Sequence, residues 1–223
     1  MKRLQEIITT LHTSTKRDYL GRMMDEKIHC MKVAKKFAFD YWDGERKYGY
    51  GGYKYIAGRW KSAAEKIISI YNLNNSSKIL DVGCGKAFLI FEIKKILPKI
   101  KIKGFDISKY AIENAPLEIK DNLIVHDVAK DYPFKDKEFD LAISINTLHN
   151  LKIFDLEFAL IEISRVSEEQ YLCVESFRNE EELFNLECWA LTCQSFFSKD
   201  EWEWIFNKFK YDGDYEFIYF KEL

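Results

Sequence analysis

Short apolar runs alternate with helically spaced apolar residues along most of the chain. Runs with the length of buried strands lie at residues 78–83, 101–108, 122–129, 139–146, 171–176 and 215–223. Apolar residues at helical spacing lie at residues 61–72, 87–97, 109–116, 158–166 and 200–209. Because strands that alternate with helices form parallel sheets covered on both faces, this pattern predicts an α/β fold. We expect a Rossmann-like, doubly wound sheet that is mostly parallel, with its last strand antiparallel.

The first 60 residues follow a different pattern. Apolar positions within residues 1–40 recur at roughly helical spacing and predict two helices. Residues 39–60, FDYWDGERKYGYGGYKYIAGRW, place five glycines among tyrosines and cations, which predicts a loop. The chain is therefore expected to divide into an N-terminal helical extension with a loop, residues 1–60, and a sheet domain, residues 61–223.

Charge is distributed unevenly between these two parts. The 223 residues carry a formal net charge of −2, yet residues 1–60 hold 13 Lys and Arg against 7 Asp and Glu. A basic first quarter could attract an anionic substrate, and it could equally be a solvated helical face. No large basic domain of the kind that binds RNA is present, so a nucleic-acid partner is not expected.

The cysteines and apolar runs bear on location and on metal binding. The five cysteines have neither CxxC spacing nor the spacing of metal ligands, which indicates reduced thiols and no metal site. The first residues are too polar for a signal peptide, and no apolar run approaches the length of a membrane span. We therefore expect a cytoplasmic protein without a membrane partner.

A glycine turn follows the first predicted strand, in LDVGCGKAFLIFEI, residues 80–93. A dinucleotide-binding fingerprint would need its third glycine at the position of Phe88, and the carboxylate of Asp81 would repel a pyrophosphate. A nicotinamide-dependent oxidoreductase is therefore disfavoured. A carboxylate beside such a turn suits a cationic ligand, or one that carries an ammonium group.

Two more aspartates, Asp106 and Asp127, end the second and third predicted strands. The ends of successive parallel strands meet at one edge of the sheet, where α/β proteins bind their ligands. An acid at the end of the second strand stands where ribose hydroxyls are bound in such folds. A nucleoside with a positively charged, amine-bearing tail would satisfy all three carboxylates.

Four stretches in this order and spacing resemble the motif series of class I S-adenosylmethionine-dependent methyltransferases: LDVGCGKAF, GFDIS, HDVA and FDLAISINTLHNL. The resemblance covers about residues 60–223 and implies S-adenosyl-L-methionine as cofactor and S-adenosyl-L-homocysteine as product. By this resemblance the cofactor site comprises Asp81, Gly83, Cys84 and Gly85 around the methionine part, Asp106 and Ile107 at the ribose, Asp127 and Val128 at the adenine, and Asn146 near the methyl group. The family's third glycine is Ala87 here, and we expect binding to tolerate this small residue.

The acceptor side is less well marked. His149, after the fourth predicted strand, is the candidate general base for a hydroxyl acceptor, because its ordinary pKa suits proton transfer. The 39–60 loop is expected to act as a lid, and its cations, glycines and aromatics suit a phosphate or carboxylate together with a sugar or base. The candidate substrate-binding residues are Tyr50, Tyr53, Lys54, Arg59 and Trp60 of this loop, with Glu175 and Arg178 at the end of the fifth strand.

Several acceptors and roles stay open at this stage. The chain also resembles small methyltransferases of bacterial capsule and lipopolysaccharide clusters, which implies O-methylation of a phosphorylated or nucleotide-linked metabolite, at a sugar hydroxyl or a phosphoramidate oxygen. The alternatives are an RNA or protein methyltransferase that docks through the basic first 60 residues, and a catalytically silent partner subunit that only binds the cofactor.

Overall fold

The computed structural model describes residues 3–13 and 15–221, and a single sheet is its main feature. The sheet strands are β1 (Lys78–Val82), β2 (Lys101–Asp106), β3 (Leu123–Val125), β4 (Phe139–Ile145), β5 (Ser167–Glu175) and β6 (Asp214–Ile218). They lie in the order β3-β2-β1-β4-β5-β6, and every neighbouring pair is parallel. The predicted doubly wound α/β fold is therefore confirmed.

The predicted antiparallel direction of the last strand is wrong. Strand β6 pairs with β5 in parallel register, with Tyr171 opposite Asp214 and Glu175 opposite Ile218. A helix, Lys199–Lys208, separates the two strands in sequence. Because this helix returns the chain across one face of the sheet, β6 starts at the same edge as β5.

Helices cover both faces of the sheet. The helices are α1 (Thr9–Thr13), α2 (Tyr19–Met24), α3 (Lys27–Ala34), α4 (Phe39–Trp42), α5 (Lys61–Ile70), α6 (Phe88–Ile96), α7 (Lys109–Glu113), α8 (Ile153–Val166), α9 (Glu180–Trp189) and α10 (Lys199–Lys208), with single 3₁₀ turns at Arg46–Tyr48, Lys120–Asn122 and Leu148–Asn150. Side chains alternate along β1, so that Ile79 packs with α5 and α6 while Leu80 packs with α8 and α10. Each face thus has its own apolar layer, and the carboxyl ends of the strands stay open to loops.

The N-terminal residues are attached to the free edge of the sheet. Leu4 forms an isolated parallel bridge with Tyr215 of β6, and the buried carboxylate of Glu216 accepts hydrogen bonds from the backbone N–H groups of Ile7 and Ile8 at 2.6 and 2.9 Å. Ile7 and Ile8 join the same apolar layer as α5 and α6. The extension therefore packs on the core of the sheet domain.

Four short helices, α1 to α4, occupy the region where the spacing predicted two. The predicted 39–60 loop contains the single turn of α4 and one 3₁₀ turn, and is otherwise irregular. Its course brings Trp42 against the glycine turn that follows β1, since a side chain added at Gly85 would meet the indole ring at 2.8 Å. The 39–60 segment thus lies over the carboxyl edge of the sheet.

Candidate active site

The turn after β1 is held to the neighbouring strand β2. The N–H groups of Gly83 and Cys84 both donate to the carbonyl oxygen of Phe105 at 2.9 Å. Gly83 has φ 75°, and a Cβ there would lie 2.2 Å from Oγ1 of Thr147. Glycine is required at this position by its backbone conformation and by the close approach of the segment that follows β4.

Asp106, at the end of β2, fixes the next residue of the turn. Its carboxylate accepts hydrogen bonds from the N–H of Gly85 and from the N–H of Ser108, both at 2.8 Å. A carboxylate offers about four acceptor sites, so two remain for a ligand. The structure therefore brings the aspartate predicted at the ribose into contact with the predicted glycine turn.

Asp81 lies beside Asp106 and is almost fully buried, with 5% of its surface exposed. Burial, followed by the negative charge of Asp106, raises the pKa of Asp81 to about 8. Within the described residues no group donates a hydrogen bond to the Asp81 carboxyl or forms an ion pair with it. A buried, partnerless carboxyl next to a second carboxylate is a receptor for a cation or an ammonium group.

The end of β3 lies next to the end of β2. The N–H of His126 donates to the carbonyl of Asp106 at 3.0 Å, and the following Asp127 accepts from the N–H of Ala129 at 2.9 Å. Val128 is buried in the core, whereas Ile107 is 52% exposed. The three predicted aspartates thus stand on adjacent strands at one edge, and the adenine contacts assigned to Asp127, Val128 and Ile107 stay predictions.

Asn146 follows β4 on the other side of β1. It adopts φ 55°, a left-handed conformation that asparagine tolerates better than most residues, and its N–H donates to Cys173 of β5 at 2.9 Å. The hydroxyl of the next residue, Thr147, donates to the carbonyl of Gly83 at 3.2 Å. The segment that follows β4 therefore contacts the glycine turn through Thr147, and the place of Asn146 near the methyl group stays a prediction.

His149 is buried beside Glu175, with 3% of its surface exposed. Its Nδ1 accepts a hydrogen bond from the backbone N–H of Glu175 at 3.2 Å, which leaves the ring proton on Nε2. Nε2 lies 3.4 Å from the Glu175 carboxylate. Burial lowers the pKa of His149, with the Glu175 charge opposing the shift, so the imidazole is neutral at pH 7. Both ring nitrogens thus face Glu175.

An aromatic layer from the N-terminal segment covers this edge of the sheet. The Trp42 indole N–H donates to the hydroxyl of Ser108 at 2.9 Å, and the ring stacks on Tyr50 at 5.3 Å with 5° between the planes. The ring centroids of Tyr50 and Tyr53 are 4.5 Å apart, and the Tyr53 ring stacks on Phe88 of α6 with 5.0 Å between the centroids. These residues, Trp42, Tyr50 and Tyr53, are called the aromatic cover below.

The pKa of Tyr50 responds to carboxylates on both sides of the site. Burial raises its pKa to about 12, and the charges of Glu175 and Asp106 both add to the rise. Burial also raises the pKa of Tyr41, again with contributions from Glu175 and Asp106. Both tyrosines therefore lie within electrostatic reach of the predicted cofactor carboxylate, Asp106, and of Glu175 at the end of β5.

The remaining residues predicted to bind substrate lie at different distances from the aromatic cover. Lys54 lines a cavity of about 530 Å³ together with Tyr53 and Lys86. Arg59 and Trp60, at the N-terminal boundary of α5, lie close enough to Tyr53 to hold its pKa down against burial. Arg178 is held in an ion pair by Glu182 and lies over the Tyr219 ring. The substrate contacts of all these residues stay predictions.

The sequence did not single out Lys86 and Asp43, which tie the glycine turn to the aromatic cover. The Lys86 ammonium is buried, and it donates to both Asp43 carboxylate oxygens at 2.8 and 2.7 Å and to the Tyr53 carbonyl at 2.8 Å. The Tyr110 hydroxyl donates to Asp43 at 2.7 Å. A lysine directly after a glycine turn was the only local signal, because its partner comes from a distant segment.

A family model described as a methyltransferase domain matches residues 73–210, more than half of the chain. The chain belongs to this methyltransferase domain family. The family and the fold together identify S-adenosyl-L-methionine as its cofactor. The predicted class I cofactor type and enzyme class are thereby confirmed.

Two curated relatives share part of the methyltransferase sequence. A candidate methyltransferase of Bacillus subtilis, YrhH, is 27% identical over 110 residues, which cover 48% of this chain and 60% of the relative. The demethylmenaquinone methyltransferase of Staphylococcus saprophyticus is 28% identical over 160 residues, which cover 65% of this chain and 67% of the relative. The match thus spans between 60% and 67% of these relatives' length.

A solved structure supports the fold assignment. The YcgJ protein of Bacillus subtilis aligns with a TM-score of 0.53 at 18% identity, covering 66% of each chain. At this level of identity the likeness concerns the fold alone. No helix among residues 3–13 and 15–221 is long and apolar enough to cross a membrane.

The residues of the site fit this methyltransferase cofactor. The partnerless Asp81 carboxyl suits the ammonium of the methionine part, and the free acceptor sites of Asp106 suit ribose hydroxyls. Gly83 and Gly85 adopt positive φ angles, and the lack of side chains there lets Thr147 and Trp42 pack directly on the turn. Within the part of the chain that the structure describes, no group of three His, Cys, Asp or Glu residues could hold a metal ion.

Proposed function

We propose that this protein transfers the methyl group of S-adenosyl-L-methionine to an oxygen of a small polar acceptor that is phosphorylated or linked to a nucleotide. The observation that carries the proposal is the position of Glu175. Its carboxylate lies beside His149 and influences Tyr41 and Tyr50, which also respond to the charge of Asp106. An acceptor between these groups would have a carboxylate on one side and the cofactor on the other.

The acceptor has to be argued from this chain's own residues. Relatives that are 28% to 31% identical over 43% to 66% of this chain are named for demethylmenaquinone, for uridine 34 of tRNA and for a malonyl group on acyl carrier protein. Such a range means that family membership does not select the acceptor. The polar hydroxyls of Tyr41, Tyr50 and Tyr53 at this edge favour an acceptor with several hydrogen-bonding groups.

For methyl transfer the protein mainly has to align the methyl donor with the acceptor. S-adenosyl-L-methionine, when bound, supplies a methyl group on a sulfonium that is already activated for displacement. Asp81 and Asp106 would hold its ammonium and ribose, and the aromatic cover would exclude water from the edge of the sheet. A hydroxyl acceptor also has to lose a proton. The Glu175 carboxylate is the group best placed to accept it, with Nε2 of His149 3.4 Å from that carboxylate.

The wider setting is part of the same proposal. The resemblance of the sequence to small methyltransferases of capsule and lipopolysaccharide clusters supports a role in surface polysaccharide biosynthesis, on a sugar hydroxyl or a phosphoramidate oxygen. Five free cysteines support a cytoplasmic location, because the cytoplasm keeps thiols reduced. A small anionic molecule is accordingly the proposed partner, rather than a nucleic acid or a protein.

A methylation panel tests the proposal. The purified protein is incubated with S-adenosyl-L-methionine and with nucleotide-linked sugars, sugar phosphates, phosphoramidate nucleotides and their unphosphorylated counterparts, and the products are read by mass spectrometry. We expect a gain of one methyl group confined to phosphorylated members. The Asp106→Ala variant serves as the negative control. Methylation of RNA or protein instead, or none with S-adenosyl-L-homocysteine still bound, would contradict the proposal.

A further inference from the structure

Arginine side chains gather around one tryptophan at the C-terminal end of α9. The guanidinium carbons of Arg22, Arg46 and Arg17 lie 4.2, 4.9 and 5.5 Å from the centre of the Trp189 ring. All three arginines come from the N-terminal extension, and Trp189 comes from the sheet domain. We call Arg17, Arg22 and Arg46 the arginine cluster. It concentrates three positive charges within a few ångströms of one ring.

Within the described residues, the arginine cluster has no carboxylate in an ion pair. Arg22 donates to the carbonyl oxygens of Arg46 and Gly49, and Arg17 donates to those of His12 and Thr15. In contrast, Arg3, Arg165 and Arg178 each form an ion pair with a buried carboxylate, that of Asp214, Glu162 and Glu182 respectively. The cluster therefore differs from the arginines that only stabilise the fold.

Donor groups of the cluster are left unused. The Nε atoms of Arg17 and Arg22 are shielded from solvent and have no hydrogen-bond partner among the described residues. Burial of such a donor without an acceptor costs free energy, as does the repulsion between adjacent cations. Burial and the neighbouring Arg46 lower the pKa of Arg22 to about 10, so the cluster keeps its charge at pH 7. An anion seated among the three side chains would relieve both costs.

The cluster borders the acceptor side of the site. Burial lowers the pKa of Arg17, and the Glu175 carboxylate opposes this shift, so the two groups lie within electrostatic reach of each other. The charge of Arg46 likewise acts on Tyr50 of the aromatic cover. It lowers the pKa of Tyr50 and so opposes the rise that burial causes. At least one arginine of the cluster thus lies within electrostatic reach of Glu175, and another within reach of the aromatic cover.

We propose that Arg17, Arg22 and Arg46 form an anion site over Trp189 that binds the phosphate group of the acceptor. This inference rests on the proposed function, to which it adds the residues that select a phosphorylated substrate. A phosphate has three terminal oxygens and up to two negative charges, which match several guanidinium forks better than one carboxylate does. Stacking on Trp189 fixes the orientation of the forks.

Calorimetry at low ionic strength measures the affinity for inorganic phosphate and so tests the anion site without any methyl transfer. The Arg22→Gln and Arg46→Gln variants should bind phosphate at least tenfold more weakly than the wild type, and their affinity for S-adenosyl-L-homocysteine should not change. Arg46 is exposed, so its replacement carries little risk to folding. Lys36→Gln is the matched control, because it removes an exposed cation of the same extension and should leave phosphate affinity unchanged.

The outcomes separate this inference from the proposed function. Phosphate binding that is equally strong in the wild type and in both variants, or absent from the folded wild type, would overturn the anion site. If both arginine variants methylate a phosphorylated acceptor with an unchanged KM, the methyltransferase proposal stands and the anion site fails. If phosphate binds through the arginines but no acceptor is methylated, the anion site stands and the proposed function fails.

Discussion

Lys86 and Asp43 form an ion pair of 2.7 Å that joins the glycine turn to the N-terminal segment. The lysine side chain is only 4% exposed, and the aspartate is 18% exposed. Lys86 also donates to the carbonyl of Tyr53, so this one ammonium holds both the start and the end of the aromatic cover. The pair therefore ties the aromatic cover to the glycine turn that is predicted to bind the cofactor.

Replacing Asp43 by Asn should loosen the cover and destabilise the fold. The change leaves the buried Lys86 charge without its counter-ion, which costs about 3 kcal/mol in comparable buried pairs. We expect the free energy of unfolding to fall by roughly that amount, and the affinity for S-adenosyl-L-homocysteine to fall with it. Urea unfolding and calorimetry measure the two effects. Asp40→Asn, an exposed change in the same helix, is the control, and equal stability of the two variants would contradict the role of the pair.

Replacing Asp106 by Ala should abolish most cofactor binding. The carboxylate positions Gly85 and Ser108, and two of its acceptor sites remain for ribose hydroxyls. Charge-assisted hydrogen bonds contribute about 1.5 to 3 kcal/mol each, so the loss of two predicts a decrease in affinity of roughly a hundredfold or more. Calorimetry with S-adenosyl-L-homocysteine measures it. Unchanged affinity in a folded variant would mean that the ribose binds elsewhere.

Local sequence patterns predicted that three aspartates lie at one edge of the sheet. Asp81, Asp106 and Asp127 each follow an apolar run, and parallel strands bring such positions together whatever the rest of the chain does. The direction of β6 was not predictable in this way, because it depends on how α10 crosses the sheet. The composition of 39–60 suggested a lid, but the contact of Trp42 with Ser108 depends on packing between residues 66 positions apart.

On the acceptor side, too, the contacts depend on residues that are distant in sequence. The position of His149 after β4 suggested a general base, yet the partners of its two nitrogens are set by Glu175 of β5, which no local pattern reveals. Arg17 and Arg22 resemble the solvated cations of any short helix in the sequence. The sequence does not show that both arginines pack against Trp189, because that residue lies more than 160 positions away along the chain.

The raised pKa of Asp81 predicts that cofactor affinity depends on pH. An ammonium group binds the ionised carboxyl, whereas the ligand-free site holds a proton on Asp81 below a pKa of about 8. Affinity for S-adenosyl-L-homocysteine should therefore rise from pH 6 to pH 8, with release of a proton on binding. Calorimetry in buffers of different ionisation enthalpy detects the proton. Asp81→Asn should bind more weakly and without this pH dependence, and an equal pH profile in both proteins would exclude Asp81 as the cause.

Asp81 should also lower the stability of the ligand-free protein at alkaline pH. An acid whose pKa is higher in the folded than in the unfolded state binds its proton more tightly when folded. Stability therefore falls as the pH rises from the ordinary aspartate range, near 4, to about 8, and stays low above it. Asp81→Asn removes the buried charge and should have a higher Tm than the wild type at pH 8.5. The difference should disappear near pH 4, and equal Tm values at both pH values would refute the assignment.

Glu175 and His149 should differ in their effect on turnover. Glu175→Gln removes the proposed proton acceptor without changing its shape, and loss of a general base typically lowers kcat by about 10²- to 10⁴-fold. His149→Ala leaves the carboxylate in place but removes the imidazole that lies 3.4 Å from it, so its loss in kcat should be smaller. Neither residue contacts Asp81 or Asp106, and the affinity for S-adenosyl-L-homocysteine should stay within a few-fold of the wild type in both variants. If His149→Ala lowers kcat more than Glu175→Gln does, the histidine is the general base. Full activity of both variants would mean that the acceptor oxygen is already ionised when it binds.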